Sequence, residues 1–466
     1  MHIPTRRLLA LALVPVLALG APAAVSAQRS TPPPVAPPKN LKLPAKREFT
    51  LPNGMAVTLV PYGTVPKAAV WLGVRTGRID QAANETWLAE TTADLMMEGT
   101  ESRTAARLAE EVAAMGGQIS VGAGSDMTNI GGEVLGEHAP AMVRLVADVA
   151  RNPLLPESEL SRIKASRLRS LSIARSQPQP IAQEKFLELL YGDHPYGRLY
   201  PTEAMLQGYT IDQVRQFHAK NFGAARAHLY VAGVFDAAAT ERAIREAFGD
   251  WAPGNPPTSN PPAPKTGRTV ALIDRPDAVQ STLILGIPVP DPTDDDYVAL
   301  EVTDALLGGA FGSRITRNIR EDKGYTYSPF SSVSDYHQVS HWAQQADVTT
   351  NVTGASLKEI FHEIDSLRAV PPPADELTGI KNNLAGIFTL QNSSRGGIVG
   401  ILRWADLQGL EDSYLSTYVQ RVLAVTPADV QRIAREHLRP EAMPIVVVGD
   451  RKTVAEQVAP YERATP

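Results

Sequence analysis

Thr210-Ile211-Asp212-Gln213-Val214 precedes a helical stretch and the run Leu229-Tyr230-Val231-Ala232-Gly233. The same order returns 216 residues later as Thr426-Pro427-Ala428-Asp429-Val430, a helical stretch and Ile445-Val446-Val447-Val448-Gly449. The offset holds from Thr210 and Thr426 through Gly233 and Gly449. Upstream, Leu160, Ile163 and Lys164 match Leu377, Ile380 and Lys381 at an offset of 217. Near the starts, Leu72-Gly73-Val74 parallels Leu285-Gly286-Ile287 at an offset of 213. One block could arise by chance, but three in order argue for duplication, and a period this long means a duplicated domain, not a solenoid.

The element order is the same in both copies. A strand or two comes first (Met55 to Pro61; Val279 to Ile287), then a helix (Glu85 to Glu98; Asp296 to Leu307). Another helix and strands follow. Then come long helices (Pro156 to Ser176; Ala374 to Leu390), a further helix and a closing strand. Strands and helices mix without strict βαβ alternation, so the expected class is α+β, two homologous domains of helices on an antiparallel-rich sheet. At 466 residues two or more cores are expected. The prolines place the breaks. Residues 28–44 hold the stiff tether Thr31-Pro32-Pro33-Pro34-Val35-Ala36-Pro37-Pro38, and 252–267 form a second proline-rich linker. The domains are therefore expected at 45–251 and 268–466.

Residues 1–27 have the make-up of a secretory signal peptide: Arg6 and Arg7, the apolar run Leu8 to Gly20, and Val25-Ser26-Ala27 at the cleavage position. Removing it leaves 43 basic against 50 acidic side chains, a net charge of −7. No later stretch is apolar enough to span a bilayer, so an exported, periplasmic protein is expected. There is no cysteine, so disulfides and lipid attachment through cysteine are excluded. No basic stripe or tail appears, which argues against nucleic acid as a partner.

The chemistry-bearing stretch is Gly308-Gly309-Ala310-Phe311-Gly312-Ser313-Arg314, running on to Arg320-Glu321-Asp322-Lys323-Gly324-Tyr325-Thr326-Tyr327. It reads as glycine-rich loop, helix, turn and strand. Ile315 and Ile319 put one helical stripe toward a core, and Gly324 is a natural stop. Tyr325 and Tyr327 are expected on one face of the strand after it, so that Arg320 and Tyr327 converge on one cleft. A guanidinium donates in a planar fork to carbonyls or carboxylates. A phenol keeps its proton at neutral pH and can donate to an oxygen that becomes negative during a reaction. An ordinary surface arginine and a half-buried strand tyrosine would show the same spacing. Gly308, Gly309 and Gly312 either let backbone approach a peptide or permit a tight helix start.

With the repeat and the Arg-x6-Tyr element in hand, the chain resembles the pitrilysin or insulinase-like zinc peptidases. Tyr191-Gly192-Asp193-His194-Pro195-Tyr196-Gly197 and Leu307-Gly308-Gly309 through Tyr327-Ser328 carry the resemblance, which covers nearly all of the chain after residue 27. It implies homologous α+β domains enclosing a chamber where peptides are cut. Active members carry H-x-x-E-H on an early helix, with two histidines on the metal and the glutamate activating water. Here the histidine positions fall on Glu90 and Asp94 and the catalytic glutamate falls on Ala93. The third ligand would be a glutamate on the later long helix, but Leu160 to Gln183 contains no Asp or Glu. No catalytic zinc is therefore expected in this chain. Glu90 and Asp94 could hold a hard cation but more usually form a solvated face.

By the same resemblance, Tyr327 would hydrogen-bond the scissile carbonyl as it becomes an oxyanion, and Arg320 would hold the substrate backbone. Tyr325 is the rival for Tyr327, with Gly308 and Gly309 as weaker candidates for contact with a peptide. The implied function is the Arg/Tyr subunit of a heterodimeric zinc peptidase, whose homologous partner carries H-x-x-E-H and the zinc. The alternative is a non-catalytic scaffold or peptide-binding homologue. Three weaker signals are set aside. His337 and His341 read as surface histidines about 13 Å apart along one strand. Gly122-Ala123-Gly124 lacks the third glycine and the βαβ unit of a dinucleotide loop. No nucleophile-elbow pattern occurs.

Overall fold

The computed structural model describes residues 38–257 and 259–462. The signal-peptide expectation at 1–27 and most of the 28–44 tether lie outside the described residues. Among those described, no helix is long and apolar enough to cross a membrane.

Among the described residues, eleven strands form two sheets. The first half supplies β1 (Arg47–Thr50), β2 (Ala56–Pro61), β3 (Lys67–Val74), β4 (Ser120–Ala123), β5 (Thr128–Leu135) and β6 (Ala227–Gly233). The second supplies β7 (Val270–Asp274), β8 (Gln280–Val289), β9 (Phe330–Tyr336), β10 (Val339–Thr349) and β11 (Ile445–Gly449). The sheet orders are β1-β2-β6-β3-β5-β4 and β7-β11-β8-β10-β9. Apart from the extra β1, the two orders correspond strand for strand. In each, the closing strand inserts between the first two, parallel to one and antiparallel to the other. The remaining pairs are antiparallel. These are the two homologous α+β domains read from the repeat.

The duplication reaches individual hydrogen bonds. Thr210 and Thr426 each cap a helix in a reciprocal box with the residue three on, Gln213 or Asp429. Lys164 donates to the carbonyl of Tyr209 at 2.9 Å. Lys381 donates to that of Val425, also at 2.9 Å. The lysines and their acceptors keep the repeat spacing, so the helices Glu157–Ser176 and Ala374–Gln391 are equivalent elements.

Each sheet is covered on one face by helices of its own half, and this makes the two large cores. The other face is covered from across the chain. Helix Pro178–Tyr191 of the first half lays Ala182, Phe186 and Leu190 on Ile284, Val446 and Val448 of the second sheet. Helix Arg395–Gln408 of the second half lays Ile398, Val399 and Leu402 on Val60, Ala69, Tyr230 and Ala232 of the first. The two helices are the same length and 217 residues apart, so the halves exchange equivalent elements. A strand buried on both faces needs apolar side chains at every position, and β11, Ile-Val-Val-Val-Gly, is buried throughout.

The linker at 252–267 is not a free spacer. Ala224 and Ala225 donate to the carbonyls of Ala252 and Pro253, Lys265 donates to Leu190, and Gly267 donates to Ala442.

One expectation about histidines is corrected. Val339 pairs with Tyr336, so His337 and Gln338 form a two-residue hairpin turn and the histidines do not share a strand. Such turns normally show Gly or Asn at positive φ, but here Gln338 takes φ 61°. The turn is therefore invisible in the sequence. His341 is buried, 2% exposed, with its Nδ1 2.9 Å from the Tyr191 hydroxyl. Burial pushes its pKa down from 6.5 to about 4. The unfolded chain therefore binds a proton in that window that the folded chain refuses, and this group's contribution falls as pH drops. In urea titrations from about pH 6.5 down to about pH 4, the stability advantage of wild type over His341→Gln should shrink by on the order of 3 kcal/mol. A pH-independent gap would contradict this.

Candidate functional site

The Arg320 element is anchored from below. Ile315 and Ile319 are fully buried. The helix widens over Arg317–Asp322 into i→i+5 bonding, with Lys323 donating to Asn318 at 3.2 Å, an irregularity common at functional sites. It ends at Gly324, φ 65°, where Tyr325 N reaches back to the Ile319 carbonyl at 2.8 Å.

The Arg320 guanidinium lies near two rings, 4.5 Å from the centroid of Phe311 and 5.1 Å from that of Tyr327. Both rings are largely exposed, 76% and 79%. Each such contact contributes about 0.5–1 kcal/mol at exposed sites. Its Nε contacts Glu321 Oε1 at 3.1 Å. The Tyr327 backbone is fixed by Thr326, which bridges Val348 and donates its hydroxyl to the Asp347 carbonyl at 2.6 Å. The Tyr327 hydroxyl has no hydrogen-bond partner among the described residues. Together these groups make an exposed, flat, polar-edged surface able to donate to a bound carbonyl. Arg320 and Tyr327 come together as expected, but beside an exposed ring and not in the expected cleft. Phe311 was quoted without a role, and its signal was a large apolar side chain set between glycines in a loop.

One expectation in this element needs correction. Tyr325 and Tyr327 do not share a strand face, because only Thr326 forms a bridge there. Tyr325 packs against the second core while Tyr327 faces outward. Gly308 is buried, and a Cβ there would meet Ser331 Oγ at 2.4 Å and Gln344 Oε1 at 2.6 Å. A Cβ on Gly309 would meet Asp304 Oδ2 at 2.5 Å. These glycines make room for a buried polar cluster in which Asp304 accepts from Ser331 Oγ and Trp342 Nε1.

At the other candidate position, Glu90, Ala93 and Asp94 lie on helix Leu88–Met96. They are not a solvated face. Arg167, from the later long helix, donates from Nε to Asp94 Oδ2 at 2.7 Å and from Nη2 to the Glu90 carbonyl at 3.0 Å. Its guanidinium sits 5.8 Å over the Trp87 ring. Glu90 itself contacts Arg78 at 3.5 Å and accepts from Gln81 at 3.2 Å. Burial raises its pKa, opposed by Arg78. Zinc of the kind the family motif implies does not fit these residues. There is no imidazole, Ala93 is buried and has no base to offer, and both acids already face guanidinium groups. Among the described residues, three ligand-type side chains converge at Asp296, Glu436 and His437, where Arg432 already pairs with both acids.

Comparison with known proteins gives the same family for both halves. Residues 57–201 match the model described as insulinase (peptidase family M16), and residues 208–384 match the one described as peptidase M16 inactive domain. An uncharacterized zinc protease of Streptomyces coelicolor is 24% identical over 87% of this chain and 90% of its own length. One of Mycobacterium tuberculosis is 29% identical over 79% and 81%. Two solved structures share the fold. A peptidase M16 inactive domain from Pseudomonas fluorescens gives a TM-score of 0.81 at 24% identity, covering 87% of this chain and 98% of that one. A protease from Helicobacter pylori gives 0.81 at 20%, covering 88% and 100%. With residues 57–201 and 208–384 matched in order by two models of a single family, together more than half of its length, the chain belongs to the insulinase-type peptidases of family M16.

Proposed function

We propose that this chain is the Arg/Tyr subunit of an exported, two-chain zinc peptidase and does not cut peptides alone. The observation that carries the reading is an asymmetry. The Arg320–Tyr327 pair is displayed with free donors, while the position for a metal motif is tied up by Arg78 and Arg167. The names of the relatives, zinc proteases, support peptide hydrolysis as the reaction of the assembly. A homologous partner bearing H-x-x-E-H would hold the zinc. This chain's own part is positional and electrostatic. Arg320 donates from its Nη groups to a backbone carbonyl of the peptide and keeps it extended. Tyr327 donates its hydroxyl proton to the scissile carbonyl oxygen, and that bond strengthens as the oxygen becomes negative.

The test is to purify the chain alone and together with a homologous H-x-x-E-H chain and to follow a quenched fluorescent peptide. The isolated chain should be inert, and the pair should hydrolyse the peptide and stop when a chelator is added. Chelator-sensitive hydrolysis by the isolated chain would overturn the reading, and an inert pair would favour a scaffold.

A further inference from the structure

A cavity of about 430 Å³ opens in the second domain. Its volume is that of a small-ligand site. Its walls come from helices Tyr297–Asp304, Ala374–Gln391, Arg395–Gln408 and Asp412–Ala424 and from β9. Five aromatic rings line it: Tyr297, Phe388, Trp404, Tyr414 and Tyr418. They brace one another, with Phe388 stacked on Tyr418 at 4.1 Å and Trp404 tilted against Tyr414 at 5.8 Å. Two carboxyl groups, Glu301 and Asp335, also line it. Asp335 is satisfied, accepting from the Tyr297 hydroxyl and from Ser340 Oγ, each at 2.7 Å. Glu301 is only half satisfied: the Tyr418 hydroxyl donates to its carboxyl group, but its Oε2 is buried without a hydrogen-bond partner, and so is the Tyr414 hydroxyl. A buried, unsatisfied carboxylate oxygen is costly and calls for an explanation.

The duplication supplies one. Lys164 and Lys381 are equivalent, so the residues three further on, Arg167 and Leu384, are equivalent too. In the first domain Arg167 sends its guanidinium over Trp87 to the Asp94 carboxylate and the Glu90 backbone carbonyl of that domain's first helix. In the second domain the first helix again presents an acid, Glu301, and aromatic walls surround it, but Leu384 stands where the arginine would be and the space is open. The first domain carries a guanidinium on its long helix, and the second has none at the equivalent position.

We infer that the cavity bounded by Glu301, Asp335 and Trp404 is a receptor for a cationic group from outside the chain, the guanidinium of an arginine side chain being the occupant it matches. Ring faces attract a cation by their quadrupole, more strongly once it is desolvated, and a carboxylate accepts the planar fork in pairs. This goes beyond the peptidase reading and does not depend on it.

The charge state around Glu301 predicts how binding responds to pH. Burial, with the like charges of Asp335 and Asp304, pushes the Glu301 carboxyl up to about 8. Arg421 on helix Asp412–Ala424 opposes this, and its guanidinium lies 5.0 Å over the Tyr414 ring. The tyrosines facing Glu301, namely Tyr297, Tyr414 and Tyr418, are all held neutral by burial. A cation that enters must displace the Glu301 proton. Binding should therefore release a proton below about pH 8 and tighten as pH rises from about 6 to about 9.

The experiment is calorimetric titration of the isolated full chain with N-acetyl-arginine amide and, separately, with the uncharged isostere N-acetyl-citrulline amide. The arginine compound should bind saturably, with the citrulline compound weaker by about tenfold or more. Repeating the titration in buffers of different ionisation enthalpy should reveal the released proton. Glu301→Gln should weaken arginine binding by about tenfold or more. Leu384→Arg, which restores the internal guanidinium, should abolish it. Equal affinity for both compounds, or no saturable arginine binding by the wild-type chain, would overturn the inference without reference to either variant. No turnover is measured, so the outcome is separate from that of the peptidase test.

Discussion

Tyr327→Phe should lower kcat of the reconstituted two-chain enzyme by roughly 10²–10³-fold and leave KM nearly unchanged, the loss expected when one oxyanion donor is removed. The split between the constants follows from where the hydroxyl acts. It donates weakly to a neutral carbonyl and strongly to the developing oxyanion, so its removal is felt in the transition state and hardly in the ground state. Phenylalanine retains the ring 5.1 Å from the Arg320 guanidinium, so the variant deletes a proton donor and leaves the cation–ring contact in place. Tyr325→Phe is the control. Tyr325 packs against the core, and its removal should leave kcat within about twofold, as is usual for changes that touch no reacting group. Assays on the pair with a fluorogenic peptide measure both. A Tyr327→Phe enzyme as fast as wild type would end the catalytic reading and favour the scaffold.

Phe186→Ala should cost about 3–5 kcal/mol, the range for a fully buried phenylalanine. Phe186 has no exposed surface and belongs to the first domain by sequence, yet its neighbours are Ile284, Val446 and Val448 of the second sheet and the His341 ring at 5.7 Å. The cavity left behind would sit at the seam between the domains. Urea unfolding should therefore show a lower midpoint, and tryptophan fluorescence and circular dichroism should cease to coincide as the halves lose cooperativity. A loss below about 1 kcal/mol, within the range of ordinary surface changes, would mean that the exchanged helix does not hold the domains together.

The fold was legible where local chemistry and pattern agree. The threonine caps, the strand β11 with its unbroken apolar run, and Gly324 at the end of the Arg320 helix are each decided by a few neighbouring residues. The hairpin at His337 and Gln338 was not legible, because a glutamine took a conformation that sequence rules assign to glycine or asparagine. The placement of Tyr325 was missed for a related reason. Period two applies to a strand, and the chain there makes a single bridge.

The sequence by itself determined that there are two copies of one domain, that the second carries an arginine and a tyrosine seven residues apart, and that the first lacks the histidines and glutamates of a zinc motif. Those are statements about residue identity and order, and no folding is needed to make them. Only the tertiary structure decided that equivalent helices cross over to cover each other's sheets, that the Phe311 ring joins Tyr327 beside the Arg320 guanidinium, and that Arg167 bonds to Glu90 and Asp94. Each of these joins residues far apart in the chain. Burial of a shared apolar face and pairing of a cation with an acid depend on distance in space, which no spacing along the sequence encodes.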